Sequence, residues 1–427
     1  MSGQRRLAVV GGGWAGLAAA VQACQLGHAV TLFEMAHQCG GRARSTEGGT
    51  LDNGQHILIG AYRETLALMR RVGVDVDTVL LRHRLALRMA DGRGLELGPG
   101  PAALSFGLAV LKAQGWSLAD KLALLRACSR WALAGFACQP DRSVADLCAG
   151  LPAAVRRMLI DPLCVAALNT PATEASAAIF LRVLKDGLFG GAGACDLLLP
   201  RQPLRELLPA PAAAWLVARG AELRLGQRVM SLHRQGGHWL LDAETFDGVV
   251  LAASATENAR LLRPLAPAWA DTADSLRFEP IVTVYVRCPG VRLVPPMLAL
   301  AEDERSPAQF VFDHGALGGE AGRLAFVVSG AAPWVQRGLD ATAQAVLDQA
   351  ARELGRQGWQ AARAQVEQTV AERRATFRST PGLQRPPQQV APGLYAAGDH
   401  VAGPYPATLE GAVRSGLAAA QAFHDAK

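Results

Sequence analysis

Apolar residues fill positions 7–10, and a glycine-rich stretch then leads into the apolar segment Ala15–Gly27. A second apolar run, Val30–Glu34, follows almost at once. Strand, glycine turn, helix and strand in this order are typical of the opening of a doubly wound nucleotide-binding sheet. Further on, residues 85–98 alternate between apolar and polar positions around Asp91-Gly92, which predicts a hairpin that turns at these two residues.

The middle of the chain has a different pattern. Residues 102–190 are unusually apolar and have mostly helical spacing. We interpret them as a core of packed helices, and the alternative is a surface that touches a membrane. The remaining pattern predicts helices from about Tyr62 to Val72, over Ala341–Gly355 and from about Leu409, and strands within Glu222–Leu232, Phe246–Ala253, 276–287 and Gly393–Ala397.

The length of the chain and the order of its elements predict two domains. At 427 residues the chain is too long for one ordinary core. Elements of the nucleotide-binding type occur at the start, in the middle and at the end. We therefore predict an α/β fold in which a Rossmann-like domain (1–80, 201–260 and 386–427) is interleaved with a helix-rich α+β substrate domain (81–200 and 261–385).

Composition and charge exclude several classes of protein. Half of the residues are hydrophobic and 19% are charged, so a folded chain is expected. The net charge is +6, but the arginines are scattered and the only lysines are Lys112, Lys121, Lys185 and Lys427, so no nucleic-acid partner is predicted. None of the eight cysteines forms CxxC, which leaves no predicted metal site or redox pair. The early first strand leaves no room for a signal peptide, and no apolar run approaches the ~18–20 residues that span a bilayer.

The first binding motif is Gly11-x-Gly13-x-x-Gly16, directly after the first strand. Its glycines allow a tight turn, close approach of a pyrophosphate and close helix-on-strand packing. The helix that opens through Trp14 and Ala15 presents backbone amides and a positive dipole to the phosphates. Glu34 ends the next strand, where a carboxylate accepts hydrogen bonds from a ribose 2′-OH and disfavours a 2′-phosphate. Together these features predict dinucleotide binding.

The second motif is Gly40-Gly41-Arg42, six residues past Glu34. Adjacent glycines let backbone pass close to a cofactor, and the arginine offers a fixed cation. Here the sequence resembles the superfamily of flavin amine oxidases, protoporphyrinogen oxidases and phytoene desaturases. The resemblance implies that the dinucleotide is FAD and that Arg42 contacts its pyrophosphate region.

The third motif comprises Gly398-Asp399 and the downstream Thr408-Leu409-Glu410-Gly411-Ala412. In the superfamily that the chain resembles, an aspartate at this place binds ribitol or pyrophosphate oxygens. The following helix directs its N-terminal amides at the flavin pyrimidine, where negative charge gathers on reduction. The resemblance thus implies contacts from Asp399, Thr408, Leu409, Glu410 and Ala412. No cysteine lies near the turn at 398–406, so FAD is expected to be bound without a covalent link.

A weaker fourth match is the stretch Glu222–Leu232, which resembles the strand whose valine backbone meets the adenine. That valine would be Val229. The alternative interpretation is that Val229 serves only in structural packing.

The resemblance narrows at Asp52-Asn53-Gly54-Gln55-His56, a loop that lies beside the flavin ring in the superfamily. In this form the loop resembles the bacterial hydroxysqualene dehydroxylases, also described as squalene-associated FAD-dependent desaturases. The same holds for 167–170, 196–200 and the tail from Gly398, so the resemblance covers essentially the whole chain. One departure is Pro200-Arg201-Gln202-Pro203, where many relatives have a Pro-x-Gly-Gly loop.

The resemblance implies an oxidoreductase that removes the hydroxyl of hydroxysqualene with hydride from reduced FAD and releases squalene, on a hopanoid pathway. Such a reaction needs a proton donor for the leaving hydroxyl and a water-free tunnel for a long isoprenoid. The apolar stretch 102–190 is the expected material for the tunnel. Candidate donors are His56, Asp196 and Tyr405, and His56 has the alternative role of a hydrogen-bond anchor.

Three alternatives remain. A carotenoid-type desaturase shares the fold, FAD and an apolar substrate, but moves hydride from substrate to flavin. An amine oxidase typically carries a lysine near the flavin and an aromatic cage, whereas the stretch 280–287 has no lysine and the chain has four tyrosines. A flavin-binding module without catalysis would have no deep pocket beside the flavin.

The substrate implied by the resemblance sets the expected partners and location. Because hydroxysqualene dissolves in lipid, we expect a cytoplasmic protein that contacts the inner face of the membrane peripherally, helped by its positive charge. The sequence has no second nucleotide fingerprint, so an external electron donor for FAD is expected.

Overall fold

The computed structural model describes residues 4–46, 49–98 and 100–426; the outermost residues of the first and last predicted segments, 1–3 and 427, lie outside these. The strands, in chain order, are β1 (Arg6–Val10), β2 (Ala29–Glu34), β3 (Leu58–Ile59), β4 (Leu80–His83), β5 (Ala86–Arg88), β6 (Gly94–Glu96), β7 (Leu197–Pro200), β8 (Glu222–Leu225), β9 (Leu232–Gln235), β10 (His238–Leu241), β11 (Glu244–Phe246), β12 (Gly248–Leu251), β13 (Phe278–Arg287), β14 (Met297–Ala299), β15 (Phe310–Asp313), β16 (Arg323–Val328), β17 (Gln365–Phe377), β18 (Gln389–Ala391) and β19 (Leu394–Ala396).

The helices, in chain order, are α1 (Trp14–Gln25), α2 (Arg63–Arg71), α3 (Val76–Val79), α4 (Ala102–Lys112), α5 (Leu118–Leu133), α6 (Val144–Leu147), α7 (Ala153–Val155), α8 (Asp161–Leu168), α9 (Ala177–Phe189), α10 (Leu204–Leu207), α11 (Pro209–Val217), α12 (Ala255–Leu262), α13 (Pro267–Asp274), α14 (Ala332–Arg337), α15 (Leu339–Glu353) and α16 (Leu409–Asp425). A π-helical turn, Arg156–Ile160, joins α7 to α8, and two short 3₁₀ turns, Gly355–Gln357 and Ala361–Arg363, precede β17.

A six-stranded sheet has the order β18-β19-β12-β1-β2-β8. All neighbours pair in parallel except at one edge, where the edge strand β18 pairs antiparallel with β19. One face is covered by α1, α11 and α16, and the other by a small sheet (β9–β11) together with α12 and α13. This is the predicted doubly wound sheet with helical cover, so the α/β fold class is confirmed. Its strands come from three separate stretches of the chain, although the exact domain limits stay a prediction.

A five-stranded antiparallel sheet, β14-β15-β16-β13-β17, forms the base of the second region. Alternation along β13 assigns its two faces: Val282, Val284 and Val286 pack against α15, and Tyr285 packs into the helices of residues 102–189. The hairpin of β5 and β6, predicted from Asp91-Gly92, packs into that same helical core. The middle of the chain is therefore a packed core, as interpreted from the pattern.

Of the strands predicted within Glu222–Leu232, the part between Leu225 and Leu232 was wrong. Strand β8 ends at Leu225, and Gly226 follows with a φ of +71°, a left-handed conformation that a strand cannot continue through. The amides of Met230 and Ser231 donate to the Asp242 carboxylate at 3.0 and 2.8 Å instead of to a neighbouring strand. Residues 226–231 are consequently an irregular connection that crosses the edge of the six-stranded sheet.

Candidate active site

A cavity of about 1640 Å³ runs between the six-stranded sheet and the helical region. This volume exceeds the ~300–1,000 Å³ that usually accommodates a drug-sized ligand. One end is formed by the turns of the nucleotide-binding motifs. The other end is apolar and is lined by Leu85, Leu87, Leu95, Phe106, Leu159, Leu163, Val183, Leu184 and Leu197.

The turn after β1 depends on glycine at two positions. Gly11 has a φ of +109°, and a Cβ added there would lie 2.6 Å from the backbone of Ala252. A Cβ added at Gly16 would lie 1.8 Å from the carbonyl oxygen of Gly11. Trp14 begins α1 immediately afterwards, so the amides at the start of the helix face the cavity that Trp14 and Ala15 line. This arrangement leaves room only for backbone and a ligand.

The second glycine pair packs directly on the first turn. A Cβ at Gly41 would lie 3.1 Å from the Cα of Gly13, and Gly40 pairs with Gly13 through an isolated bridge. Two motifs that are 27 residues apart in sequence thus form one continuous cradle of backbone. A cradle that side chains would fill, with helix amides beside it, fits the pyrophosphate of a dinucleotide.

Glu34 lies at the end of β2 and lines the same end of the cavity. Its carboxylate accepts hydrogen bonds from the backbone amides of Gly12, at 2.6 Å, and Ala36, at 2.8 Å. These bonds fix the orientation of the carboxylate, and each oxygen keeps a second lone pair. The position is therefore suited to a ribose hydroxyl, as the sequence predicts.

Arg42 and Asp399 form an ion pair inside the cavity wall. Burial of Asp399 opposes its ionisation, but the Arg42 guanidinium beside it holds the pKa of the carboxyl well below its usual range. Arg42 also donates to the carbonyl of Ala375 at 2.8 Å, which ties the motif to β17. Hence the side chains that the sequence assigns to the pyrophosphate region already constrain each other.

The start of α16 is capped and anchored by its own residues. Thr408 caps the helix by accepting a hydrogen bond from the Gly411 amide at 3.0 Å. The buried carboxylate of Glu410 accepts from the Glu64 and Thr65 amides at the start of α2, and from Arg414 at 2.7 Å. Thr408, Leu409, Glu410 and Ala412 all line the cavity. Glu410 thus joins the two helices, a structural role that the sequence did not predict.

The loop Asp52–His56 reaches the cavity from beside the second sheet. Gly54, Gln55 and His56 line the cavity, and the Gln55 amide donates to the Thr283 hydroxyl on β13 at 3.3 Å. His314 donates from Nε2 to the Gln55 side-chain oxygen at 2.9 Å, and burial lowers the pKa of this histidine to about 4. His314 was missed by the sequence analysis, because no local motif marks it.

His56 is oriented by its own loop. Its Nδ1 lies 2.8 Å from the Gly54 carbonyl oxygen, so Nδ1 carries the proton and donates. Burial lowers the pKa of the imidazole, although the bond to Gly54 opposes that shift. The ring is therefore held in the neutral form, with an unprotonated Nε2.

Tyr405 lines the cavity beside two arginines. Arg182 donates to its hydroxyl oxygen at 3.1 Å, and the guanidinium of Arg414 lies 5.3 Å from the centre of the tyrosine ring. Asp186, which also lines the cavity, pairs with Arg182 at 3.0 Å. Because the tyrosine oxygen accepts from an arginine, its own proton is free to be donated.

Asp196 does not line the cavity in the described part of the chain. Its carboxylate pairs with Arg82 at 3.0 Å, and it is absent from the described lining although its neighbours Cys195 and Leu197 belong to it. Alternation along the chain explains the difference, because consecutive side chains at a strand start face opposite sides. The suggestion that Asp196 donates a proton is not supported by this position.

Val229 is buried and lines the cavity, but from the irregular connection and not from the strand that the resemblance implies. Its carbonyl oxygen accepts from Arg260 at 2.6 Å. Asn169 is a further cavity residue for which no role was predicted. The asparagine lines the cavity in a left-handed conformation, donates to the Thr376 hydroxyl at 2.9 Å and accepts from the Gly330 amide at 2.7 Å.

No three or more His, Cys, Asp or Glu side chains within residues 4–46, 49–98 and 100–426 are grouped closely enough to hold a metal ion. In the same part of the chain, no helix combines the length and the apolar character needed to cross a membrane.

Comparison with known proteins agrees with this geometry. The model of the family "Flavin containing amine oxidoreductase" matches residues 14–424. A hydroxysqualene dehydroxylase from Rhodopseudomonas palustris is 29% identical, with 96% of each chain covered. A zeta-carotene desaturase from Synechocystis is 35% identical over 95 residues, 22% of this chain and 19% of that one. An oxidoreductase structure from Methanosarcina mazei has the same fold, with a TM-score of 0.73 at 16% identity over 97% of this chain and 100% of that one.

The family match covers almost the whole chain and includes the three motifs that form the nucleotide end of the cavity, except for Gly11 and Gly13 just before it. The predicted resemblance is therefore confirmed. This chain belongs to the flavin containing amine oxidoreductase family and is an FAD-dependent oxidoreductase.

Proposed function

We propose that this protein reduces hydroxysqualene to squalene with hydride from FAD. The observation that carries the proposal is the single cavity that joins a nucleotide cradle to a long apolar end. The full-length similarity to a hydroxysqualene dehydroxylase supports this choice of substrate. The overall change is balanced: the carbon–oxygen bond breaks, the hydroxyl leaves as water with one added proton, and the carbon receives a hydride.

The residues of the nucleotide end would hold the cofactor. The glycines of the first two motifs would admit the pyrophosphate, Glu34 would accept from the ribose, and Val229 would offer its backbone to the adenine. Arg42 and Asp399 would meet the pyrophosphate and ribitol region, and the flavin would lie among the cavity-lining residues Gly54, Gln55, Thr408, Leu409, Glu410 and Ala412. Bound without a covalent link, reduced FAD supplies the hydride.

Tyr405 is the proposed proton donor. It lies on the cavity wall, and its hydroxyl is free to donate because the oxygen accepts from Arg182. The guanidinium groups of Arg182 and Arg414 lie 5.0 and 5.3 Å from the centre of the ring and hold it at the cavity wall. His56 serves instead as the anchor of its loop, since its donating nitrogen is already engaged with Gly54.

The apolar end of the cavity protects the reaction. Loss of the hydroxyl leaves an allylic cation that water would capture, and leucine and phenylalanine side chains from β5, β6, α4, α8 and α9 exclude water there. The same side chains bury the isoprenoid chain, which gives apolar contact along its length at ~25 cal/mol per Å².

The proposed setting follows from this substrate. A squalene-type molecule resides in lipid, so we propose a cytoplasmic protein with peripheral contact to the inner face of the membrane. FAD must be reduced again after each turnover, and we propose an external electron donor for that step.

The decisive experiment uses the flavoprotein reduced anaerobically with dithionite. Addition of hydroxysqualene should return the oxidised flavin spectrum, with one squalene formed per flavin, as followed by absorbance and product analysis in the same sample. Unchanged absorbance with hydroxysqualene would refute the proposal.

A carotenoid-type desaturase is the second candidate, favoured by the partial similarity to a zeta-carotene desaturase. That similarity covers 22% of the chain, against 96% for the dehydroxylase. The converse trial separates the two candidates. The oxidised enzyme is mixed with squalene, dehydrosqualene or phytoene, and its flavin should be bleached only if the enzyme is a desaturase.

A further inference from the structure

Helices α4 and α5 carry large apolar side chains that are exposed. On α4, Leu104, Leu108 and Leu111 are spaced by four and three residues and therefore share one helical face. Leu118 and Leu122 form a similar pair at the start of α5. We call these five residues the leucine face. Leu104 and Leu118 are 68% and 67% exposed, and the five leucines together form an exposed apolar patch.

A direct contact holds the two helices together at this face. The amine of Lys121 on α5 donates to the carbonyl oxygen of Leu111 on α4 at 2.8 Å. Ser117 and Asp120 form a capping box that fixes the start of α5. The leucines are thus presented by ordered helices, so their exposure is a property of the fold.

The charge around the leucine face is positive. Residues 102–140 contain four basic residues and one acidic residue, and that acid, Asp120, is engaged in the capping box. Two of the four lysines of the chain, Lys112 and Lys121, lie on this pair of helices. Lys112 and Arg126 are exposed and have no ion pair among the described residues. Leucines flanked by unpaired cations are suited to an anionic lipid surface.

The leucine face is also continuous with the cavity. Phe106 lies on α4 between Leu104 and Leu108, and it lines the apolar end. Helix α4 packs against α9, which contributes Val183 and Leu184 to the same lining. One helix therefore separates the exposed apolar surface from the apolar end of the cavity.

We propose that the leucine face docks on a bilayer that contains anionic lipids, with its leucines in the boundary between headgroups and acyl chains. A second copy of the chain is a poorer partner, because a twofold interface would bring two positive surfaces together. If the substrate is an isoprenoid, as in the proposed function, it enters beside α4. The docking itself does not depend on which substrate the cavity accepts.

Vesicle flotation tests the proposal with vesicles of phosphatidylcholine and phosphatidylglycerol. The wild-type flavoprotein should float with these vesicles at low salt and bind pure phosphatidylcholine far more weakly. Leu104→Glu/Leu108→Glu should lower the partition coefficient at least about tenfold, because two leucines lose their burial. Lys112→Glu/Arg126→Glu should lower it about tenfold for anionic vesicles only.

The matched control is Val217→Glu/Val294→Glu, which adds the same charges at exposed apolar positions of α11 and of the 288–296 connection. This control should float like the wild type, and bound flavin reports correct folding of every variant. The proposal would be overturned if Leu104→Glu/Leu108→Glu floated as well as the control Val217→Glu/Val294→Glu, or if the wild type did not float. The proposal would also be overturned if the wild type were a dimer and the leucine substitutions dissociated it without changing vesicle binding.

Turnover measured with detergent-dispersed substrate separates this proposal from the proposed function. The leucine variant should retain wild-type turnover there and lose it only with substrate held in vesicles. If the wild type turned over hydroxysqualene in neither format but bound vesicles normally, the proposed reaction would be rejected and the docking proposal would stand.

Discussion

At the nucleotide end of the cavity the wall is mainly backbone, whereas at the apolar end it is almost entirely side chain. The turn at Gly11–Gly16 and the pair Gly40-Gly41 touch each other without any Cβ between them. At the other end, Phe106 and the surrounding leucines determine the shape. A backbone wall tolerates few residue types, while an apolar wall accepts many combinations of similar volume. Substitutions at the two ends should therefore differ in kind.

The largest effect is expected from Gly16→Ala. The added methyl would lie 1.8 Å from the Gly11 carbonyl, so the turn must move and the cradle is lost. Such overpacking against backbone should weaken FAD binding at least about 100-fold. The flavin content of the purified protein and a fluorescence titration with FAD measure this loss of affinity. Gly107→Ala on α4, where a methyl meets no atom within 4 Å, is the control, and equal flavin content in both variants would contradict the cradle.

The proposed proton donor is tested by Tyr405→Phe, which removes one hydroxyl and keeps the ring. The rate of flavin reoxidation by hydroxysqualene should fall about 10²-fold, while flavin content stays unchanged. Tyr395→Phe removes a hydroxyl that donates to the Ala422 carbonyl away from the cavity, and should react like the wild type. A Tyr405→Phe enzyme with wild-type single-turnover rates would exclude this tyrosine as the donor.

Asp399→Asn tests the ion pair with Arg42 at the nucleotide end of the cavity. It should destabilise the protein by about 2 kcal/mol, less than the ~3–5 kcal/mol of a fully buried pair, because the Arg42 side chain is 35% exposed. The pKa of Asp399 is lowered on folding, so its stabilisation is complete above about pH 4, the unfolded pKa, and is lost as pH falls further.

Thermal unfolding of the wild type and Asp399→Asn between pH 3 and 7 measures this effect. The difference in Tm should be constant above about pH 4 and shrink below it. A difference that instead grows on acidification would show that the carboxylate does not stabilise the fold through its charge.

The smallest effect is expected from His56→Asn. The asparagine amide can replace Nδ1 as donor to Gly54, so turnover should stay within about threefold of the wild type. A proton donor would instead lose about 10²-fold or more. Steady-state rates decide between the two roles, and His56→Ala, which lacks the hydrogen bond, should weaken flavin binding without a specific loss in the chemical step.

The same contrast explains how much of the site could be predicted from sequence. A position that excludes every Cβ admits only glycine. The cradle formed by Gly11, Gly16 and Gly41 can therefore be recognised from a single sequence. The doubly wound sheet was predicted from them and from the apolar runs, but its six strands and their order were not. The contacts of Tyr405 with Arg182 and of Gln55 with His314 join residues that are 223 and 259 positions apart. Side chains of these types are common on surfaces, so nothing local distinguishes them.

The wrong prediction for residues 226–231 has a local cause too. Residues 222–232 alternate like a strand, but Gly226 and the Asp242 carboxylate redirect the backbone after Leu225. Asp196 follows a cavity residue and precedes another, yet its own side chain pairs with Arg82. Sequence neighbourhood is therefore a poor guide both to where a strand ends and to which side chains face the cavity.

The order of strands in the six-stranded sheet has a consequence for synthesis. Strand β1 is made first but pairs with β12, and β12 in turn pairs with β19. At ~5–20 residues per second, roughly 20 to 80 s separate the translation of β1 from that of β19. During this interval one edge of the partly synthesised sheet has no partner strand, and Asp399 and Thr408 have not yet been translated. A ribosome that stalls before these residues releases a chain that can neither close its sheet nor retain a flavin.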